Sequence, residues 1–400
     1  MKRVVIVGAS AGGLAVAEAL RRAGHDGSIT LIGDEPHLPY DRPPLSKQIL
    51  TGQWQQDRLP LRPRADIDAL QLDLRLGVAA IGLDPAGRTV LLAGGVRQPY
   101  DGLVVATGVR ARHLPGSEGV TGVHTLRTLE DAVKLRSRLR PGRRLVIVGA
   151  GFIGAEVAAV ARGLGVDVTL LEAGPEPLTR AVGEDAGRFL AQLHRDRGVR
   201  LRTLASVAEI VVAGSDVTGV RLTDDTVEPA DDVLVAIGSV PNTDWLDGSG
   251  LKVSNGLVCD EFSAAAPGVY GVGDVARWHN PRFGTTMRVE HRSNAAEQGM
   301  AVAHNLLNPG AQRPFAPVPY FWSDQYDRKV QSYGHLHGHE QALVLRQDPH
   351  HWLVSYRKGD RLTGVLGIGV PPKELRTWRA LVAARTPWDE AITATDTVAA

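Results

Sequence analysis

Four apolar residues, Val4-Val5-Ile6-Val7, run into a glycine turn, Gly8-Ala9-Ser10-Ala11-Gly12-Gly13, and then into an alanine- and leucine-rich stretch over residues 14–23. The same order recurs later as Leu145-Val146-Ile147-Val148, Gly149-Ala150-Gly151-Phe152-Ile153-Gly154 and an apolar stretch over residues 155–164. A spacing of 141 residues brings Gly8 onto Gly149, Ser10 onto Gly151, Gly13 onto Gly154 and Gly24 onto Gly165. Short unbroken apolar runs predict strands covered on both faces, and the longer alanine-rich runs predict helices packed on them. Second strands follow over residues 28–32 and 168–171. Strand, turn, helix and strand, met twice in register, predict an α/β chain with two Rossmann-like domains, each built to hold a dinucleotide.

The chemistry follows from the turns. Gly8 and Gly149 allow the tight bend, the small residues Ser10 and Gly151 let backbone amides approach a pyrophosphate, and Gly13 and Gly154 let helix and strand pack closely. The helix N-terminus adds partial positive charge. Ser10 departs from the Gly-x-Gly-x-x-Gly pattern but is small, and its hydroxyl can meet a phosphate. A carboxylate after each second strand is expected to bind ribose hydroxyls: Asp34 or Glu35 in the first unit, Glu172 in the second. Glu172 repels a 2′-phosphate, and Ala173-Gly174-Pro175 supplies no arginine to receive one, so NADH is expected over NADPH. Two further apolar strands end at Thr107-Gly108 and at Gly238, where backbone can again approach a nucleotide; each alone reads equally as an ordinary strand end.

With 400 residues, 43% of them hydrophobic, the chain can build two or three cores. Its 45 basic and 44 acidic residues leave a net charge of +1, which gives no broad attraction for nucleic acid or a membrane surface. No apolar run reaches the length of a membrane-spanning helix, and the run after Met1-Lys2-Arg3 stops at Gly8, too early for a signal peptide. One cysteine, Cys259, excludes an intrachain disulfide or a Cys-x-x-Cys pair and suits a reducing cytoplasm; it reads as a buried strand thiol.

On these features the chain resembles the ferredoxin-reductase branch of the two-dinucleotide-fold flavoproteins, which serves dioxygenases and haem monooxygenases. The segment Pro39-Tyr40-Asp41-Arg42-Pro43-Pro44-Leu45-Ser46-Lys47 is similar to the one beside the flavin in that family. By itself it is a stiff, positively charged loop, readable also as solvated surface. The resemblance implies that Arg42 and Lys47 touch FAD. It also implies that Phe152 and Ile153 lie near the nicotinamide, and that Glu156 pairs with Lys47, the two being the catalytic candidates. Taken alone, Glu156 is only a carboxylate favourable near a helix N-terminus.

The resemblance further implies FAD contacts from Arg127, in His124-Thr125-Leu126-Arg127-Thr128, and from Asp274, in Gly271-Val272-Gly273-Asp274. It implies others from the backbone of His291, from Trp322, in Tyr320-Phe321-Trp322-Ser323-Asp324, and from Ala80 near a strand end. These aromatics suit core packing equally well. Arg292 stands where the family often has tryptophan.

The implied organisation is an FAD domain over residues 1–112 and 246–315, an NAD domain over 113–245 and a C-terminal α+β interface domain over 316–400. The implied activity is hydride transfer from NADH to FAD, with electrons passed singly to a [2Fe–2S] ferredoxin that supplies an oxygenase. The missing cysteine pair points away from disulfide chemistry. A rubredoxin or quinone reductase remains open, as does a redox-responsive interaction protein resembling apoptosis-inducing factor, whose targeting extension is not expected here because the first strand begins at Val4. His335, His337 and His339 would share one face of a strand and so could suit a metal, but without carboxylate support no metal is expected.

Overall fold

The computed structural model describes residues 1–396. The chain divides into two compact units, the first comprising Met1–Asp41, Asp57–Arg110 and Val240–Pro319, the second Arg42–Gln56, Ala111–Ser239 and Tyr320–Ala400, of which the last four residues lie outside the described part.

In the first unit, strand Arg3–Val7 pairs in parallel with Ser28–Gly33 on one side and Gly102–Val105 on the other. Asp73–Leu76 and Val269–Gly271 extend this parallel core, and Ala264–Ala266 closes one edge antiparallel. Val5 and Ile6 are fully buried, as strands covered on both faces require. Helix Ala11–Arg22 covers one face and packs on helix Arg292–Leu307. The helices meet at glycines: a Cβ on Gly299 would lie 2.9 Å from the Gly12 carbonyl oxygen.

The second unit repeats the plan. Arg144–Val148 lies between Asp167–Leu171 and Asp232–Val235, all parallel, with Arg200–Arg202 and Val123–His124 outside them. Helix Phe152–Gly163 follows the turn at the same offset as helix Ala11–Arg22. The C-terminal region is an antiparallel sheet in the order Tyr320–Gln325, Arg328–Gly334, Arg361–Ile368, Trp352–Lys358, Gln341–Gln347, with helix Pro372–Ala384 burying Leu375 and Trp378.

Packing thus groups the chain differently from its linear order. Leu190 and Ala186 of helix Glu184–Asp196 share one apolar cluster with Val330, Trp352, Val354 and Leu366 of the C-terminal sheet. Phe189 stacks on Trp352 with centroids 5.9 Å apart, and the Tyr356 hydroxyl donates to the Val182 carbonyl at 2.6 Å. The C-terminal sheet therefore belongs to the same compact unit as the second dinucleotide fold rather than standing apart. Residues 42–56 also join it, because the turn Pro43–Ser46 and helix Gln48–Thr51 bury Leu45, Ile49 and Leu50 and pack against helix Leu129–Arg138.

Candidate active site

Both glycine turns sit at the carboxyl ends of parallel strands, where α/β sheets bind ligands. The Gly8 amide donates to Ile32 O at 2.7 Å, and the Gly149 amide to Leu171 O at 2.8 Å. Gly8 has φ +121° and Gly149 φ +101°, a region closed to ordinary side chains. A Cβ on Gly13 would lie 2.0 Å from Gly8 O, and one on Gly154 2.0 Å from Gly149 O, so these glycines answer to helix–turn packing.

Gly151 is different. Its φ of −73° suits any residue, and a Cβ there would meet nothing within 4 Å. Neither strain nor neighbours require glycine at this position, whereas a phosphate group approaching the amides of the helix N-terminus would. No acidic residue occupies the first turn of either helix, as anion binding favours. The residues present therefore fit a dinucleotide at each turn. Gly238 at φ +95° likewise faces open space, while Ile153 is exposed.

The acids are sorted by the structure. Asp34 is exposed, whereas half-buried Glu35 accepts a 2.5 Å hydrogen bond from the buried Tyr40 hydroxyl. Of the two, Glu35 is the oriented one. In the second unit Glu172 accepts from the Ala150 amide at 2.9 Å and the Gly174 amide at 2.8 Å, which ties the acid to the glycine turn itself.

Lys47 and Glu156, 109 positions apart, are joined at 2.8 Å with side chains only 12% and 4% exposed. Glu156 Oε2 also accepts from Ser46 Oγ at 2.5 Å, and Oε1 accepts from Ser323 Oγ at 2.8 Å and the Asp324 amide at 3.3 Å. A buried carboxylate without such donors would be strongly unfavourable. Phe152, one turn earlier on the helix, contacts Phe321 with centroids 4.7 Å apart.

Arg42 donates to Arg127 O at 2.7 Å, so two further candidates are neighbours in the second unit. Trp322 stacks on Tyr320 there at 5.8 Å. In the first unit the Thr107 hydroxyl donates to Asn242 O at 2.8 Å, and Asn242 Nδ2 returns a bond to Thr107 O at 2.9 Å, holding the turn through Gly108. Asp274 sits in the single turn Gly273–Val275, whose Gly273 amide donates to buried Gln298 at 2.8 Å. His291 caps helix Arg292–Leu307, and burial pushes its imidazole down to about 4. Arg292, in the place of the common tryptophan, pairs with Asp41 at 2.6 Å.

Ala80 stands at a strand end, as the first residue of Ala80–Asp84. One expectation changes. The strand Arg328–Gly334 stops before His335, so His335, His337 and His339 do not share a strand face; among the described residues no cluster of three or more His, Cys, Asp or Glu is placed to hold a metal ion. The aromatic segment from Tyr320 is itself a strand, Tyr320–Gln325.

Ser46, Ser323, Tyr40 and Asn242 escaped the sequence reading as contributors. Each lies inside or beside a motif already marked, but only tertiary contact assigns it a partner. Cys259 ends the buried strand Leu257–Cys259, and burial raises its thiol to about 12. No described helix is long and apolar enough to cross a membrane.

Residues 2–299 match the family model described as pyridine nucleotide-disulphide oxidoreductase, and residues 320–399 match the one described as reductase C-terminal. A probable ferredoxin reductase, CtmF, of Castellaniella defragrans is 40% identical, over 87% of this chain and 85% of that protein. The ferredoxin–NAD(+) reductase component of the p-cumate 2,3-dioxygenase system of Pseudomonas putida is 35% identical over 97% and 95%. Among solved structures, the reductase in the covalent putidaredoxin reductase–putidaredoxin complex superposes with a TM-score of 0.92 at 35% identity, covering 96% of this chain and 94% of that one.

Proposed function

Because the chain belongs to the pyridine nucleotide-disulphide oxidoreductase family, we propose that it is an NADH-dependent ferredoxin reductase, supplying electrons through a [2Fe–2S] ferredoxin to a monooxygenase or dioxygenase. Its cofactors are FAD and NAD(H). The observation that carries the choice of acceptor is the sulfur inventory. The one thiol of the chain, Cys259, is buried and held protonated far above neutrality, so no dithiol or thiolate partner is available. Electrons must leave to an external carrier. Relatives named for ferredoxins and for oxygenase systems support that carrier being a ferredoxin, and a lone reduced thiol suits work in the cytoplasm.

FAD, when bound, accepts a hydride from NADH and releases single electrons; the chain supplies orientation, charge and water exclusion. The turn Gly8, Ser10, Gly13 would hold the FAD pyrophosphate, with Glu35 on the ribose and Thr107-Gly108, Ala80 and Asp274 around the rest. His291, Arg42, Arg127 and Trp322 are assigned to the same cofactor by resemblance. Gly149, Gly151, Gly154 and Glu172 would hold NADH, with Gly238, Phe152 and Ile153 beside it. Lys47 would place a fixed positive charge where negative charge accumulates on reduction, and Glu156 holds that lysine in place. The first unit is assigned to FAD and the core of the second to NADH.

The test is a spectrum followed by rapid mixing. The purified protein is expected to be yellow, to bleach promptly with NADH, and to be reoxidised by a [2Fe–2S] ferredoxin far faster than by rubredoxin or quinone. A colourless protein unable to take up FAD defeats the proposal. A long-lived broad absorbance after NADH would instead identify a redox-responsive interaction protein.

A further inference from the structure

Glu156 is held by two segments distant from it in the chain. Its Oε2 faces Ser46 and Lys47, and its Oε1 faces Ser323 and the Asp324 amide. An ionised carboxylate offers about four acceptor directions, and all four are taken, which leaves the group one orientation. The Asp324 contact is long at 3.3 Å, so the Ser323 hydroxyl at 2.8 Å is the main restraint on Oε1.

The location of that hydroxyl follows from matched periodicities. Phe321, Ser323 and Gln325 alternate along strand Tyr320–Gln325, with Ser323 and Gln325 fully buried. Phe321 meets Phe152 and Ser323 meets Glu156. Two strand residues rise about 6.7 Å and four helix residues about 6 Å, so adjacent inward positions of the strand meet adjacent turns of the helix.

We infer that Ser323 is a positioning residue for flavin reduction: by fixing one oxygen of Glu156 it presents the other to Lys47. This rests on the reductase reading above and adds to it a residue whose hydroxyl is spent on Glu156. Without the hydroxyl, Oε1 keeps only the long contact from the Asp324 amide, and the carboxylate that faces Lys47 is held mainly through Oε2, by Ser46.

The experiment uses the FAD-loaded protein carrying Ser323→Ala, Ser323→Cys (nearly isosteric, a weaker donor), Lys47→Met, or Ser323→Ala with Lys47→Met. Losing a hydrogen bond to a charged group typically costs about tenfold or more in the equilibrium it supports. Ser323→Ala is therefore expected to slow reduction at saturating NADH about tenfold, with NADH affinity and FAD retention unchanged; Ser323→Cys slows it less.

In the Lys47→Met background, Ser323→Ala should add little, because the two act through one path. The flavin midpoint potential should fall in Ser323→Ala, in the same direction as in Lys47→Met, since a poorly held cation stabilises the reduced flavin less. Full-rate reduction in both serine variants, slowing that multiplies with that of Lys47→Met, or a potential that moves only with Lys47→Met overturns the inference. A wild type that NADH does not reduce overturns the reductase reading instead.

Discussion

Glu172 accepts the Ala150 amide at 2.9 Å, so the acid expected to read a ribose is fastened to the turn expected to hold the adjoining pyrophosphate. Ribose reading and phosphate placement are thereby coupled. Glu172→Ala should lower the NADH:NADPH preference in kcat/KM by roughly tenfold or more, as loss of charge-assisted hydrogen bonds implies. It should also raise KM for both, because the Gly149–Gly154 turn loses an anchor. An unaltered preference ratio would show that another residue reads the ribose.

Lys47→Ala leaves Glu156 buried with its serine donors but without its counter-charge. The rate of flavin reduction by NADH should fall much more than FAD retention, because the lysine acts on developing charge rather than on cofactor binding. Stopped-flow reduction and a dialysis assay for released FAD measure the two separately. Equal losses in both would contradict the placement of Lys47. Stability should fall as well, by an amount on the order of 3 kcal/mol when one partner of a buried pair is removed.

Cys259 should be inert in the native state. Its thiol is raised to about 12 by burial and donates to the Leu257 carbonyl at 3.4 Å. A thiol reagent at neutral pH should label it only on unfolding, and Cys259→Ala should retain NADH-to-acceptor electron transfer. Loss of turnover in that variant, with its fold intact, would return sulfur to the mechanism.

The stability of the second unit should depend on His194. This fully buried imidazole, 2.8 Å from the Tyr326 hydroxyl, is lowered by burial from 6.5 to about 4. The unfolded chain therefore takes up a proton first as pH falls, and stability is lost between about pH 6.5 and 4. A 2.5-unit difference corresponds to roughly 3 kcal/mol at the acid end of that window. His194→Gln should flatten the Tm–pH curve over this range; a slope identical to that of the wild type would place the titration elsewhere.

Both dinucleotide folds were legible because their determinants are local. Apolar runs such as Val4-Val5-Ile6-Val7 and Leu145-Val146-Ile147-Val148, bounded by glycine turns, specify buried strand, bend and helix within some 30 residues, although the helices Ala11–Arg22 and Phe152–Gly163 begin inside the glycine turns, three residues ahead of the apolar stretches. The resemblance paired Lys47 with Glu156, and the fold joins them. Ser323 could not be picked out, because a serine in a strand has no signal of its own until the facing helix is known. Asp34 and Glu35 were indistinguishable as adjacent acids until Tyr40 folded back onto one of them.

The resemblance implied three domains; by packing, Arg42–Gln56 and the C-terminal sheet share a compact unit with the second dinucleotide fold. The amino-acid sequence alone thus determined the two nucleotide cradles and the poverty in sulfur, since turn geometry and residue identity are properties of short segments. Which acid is oriented, which serines hold Glu156, and which segments share a core were decided only by tertiary structure. The first depends on Tyr40 folding back onto Glu35, five positions away, and the other two on side chains a hundred or more positions apart meeting across buried surfaces.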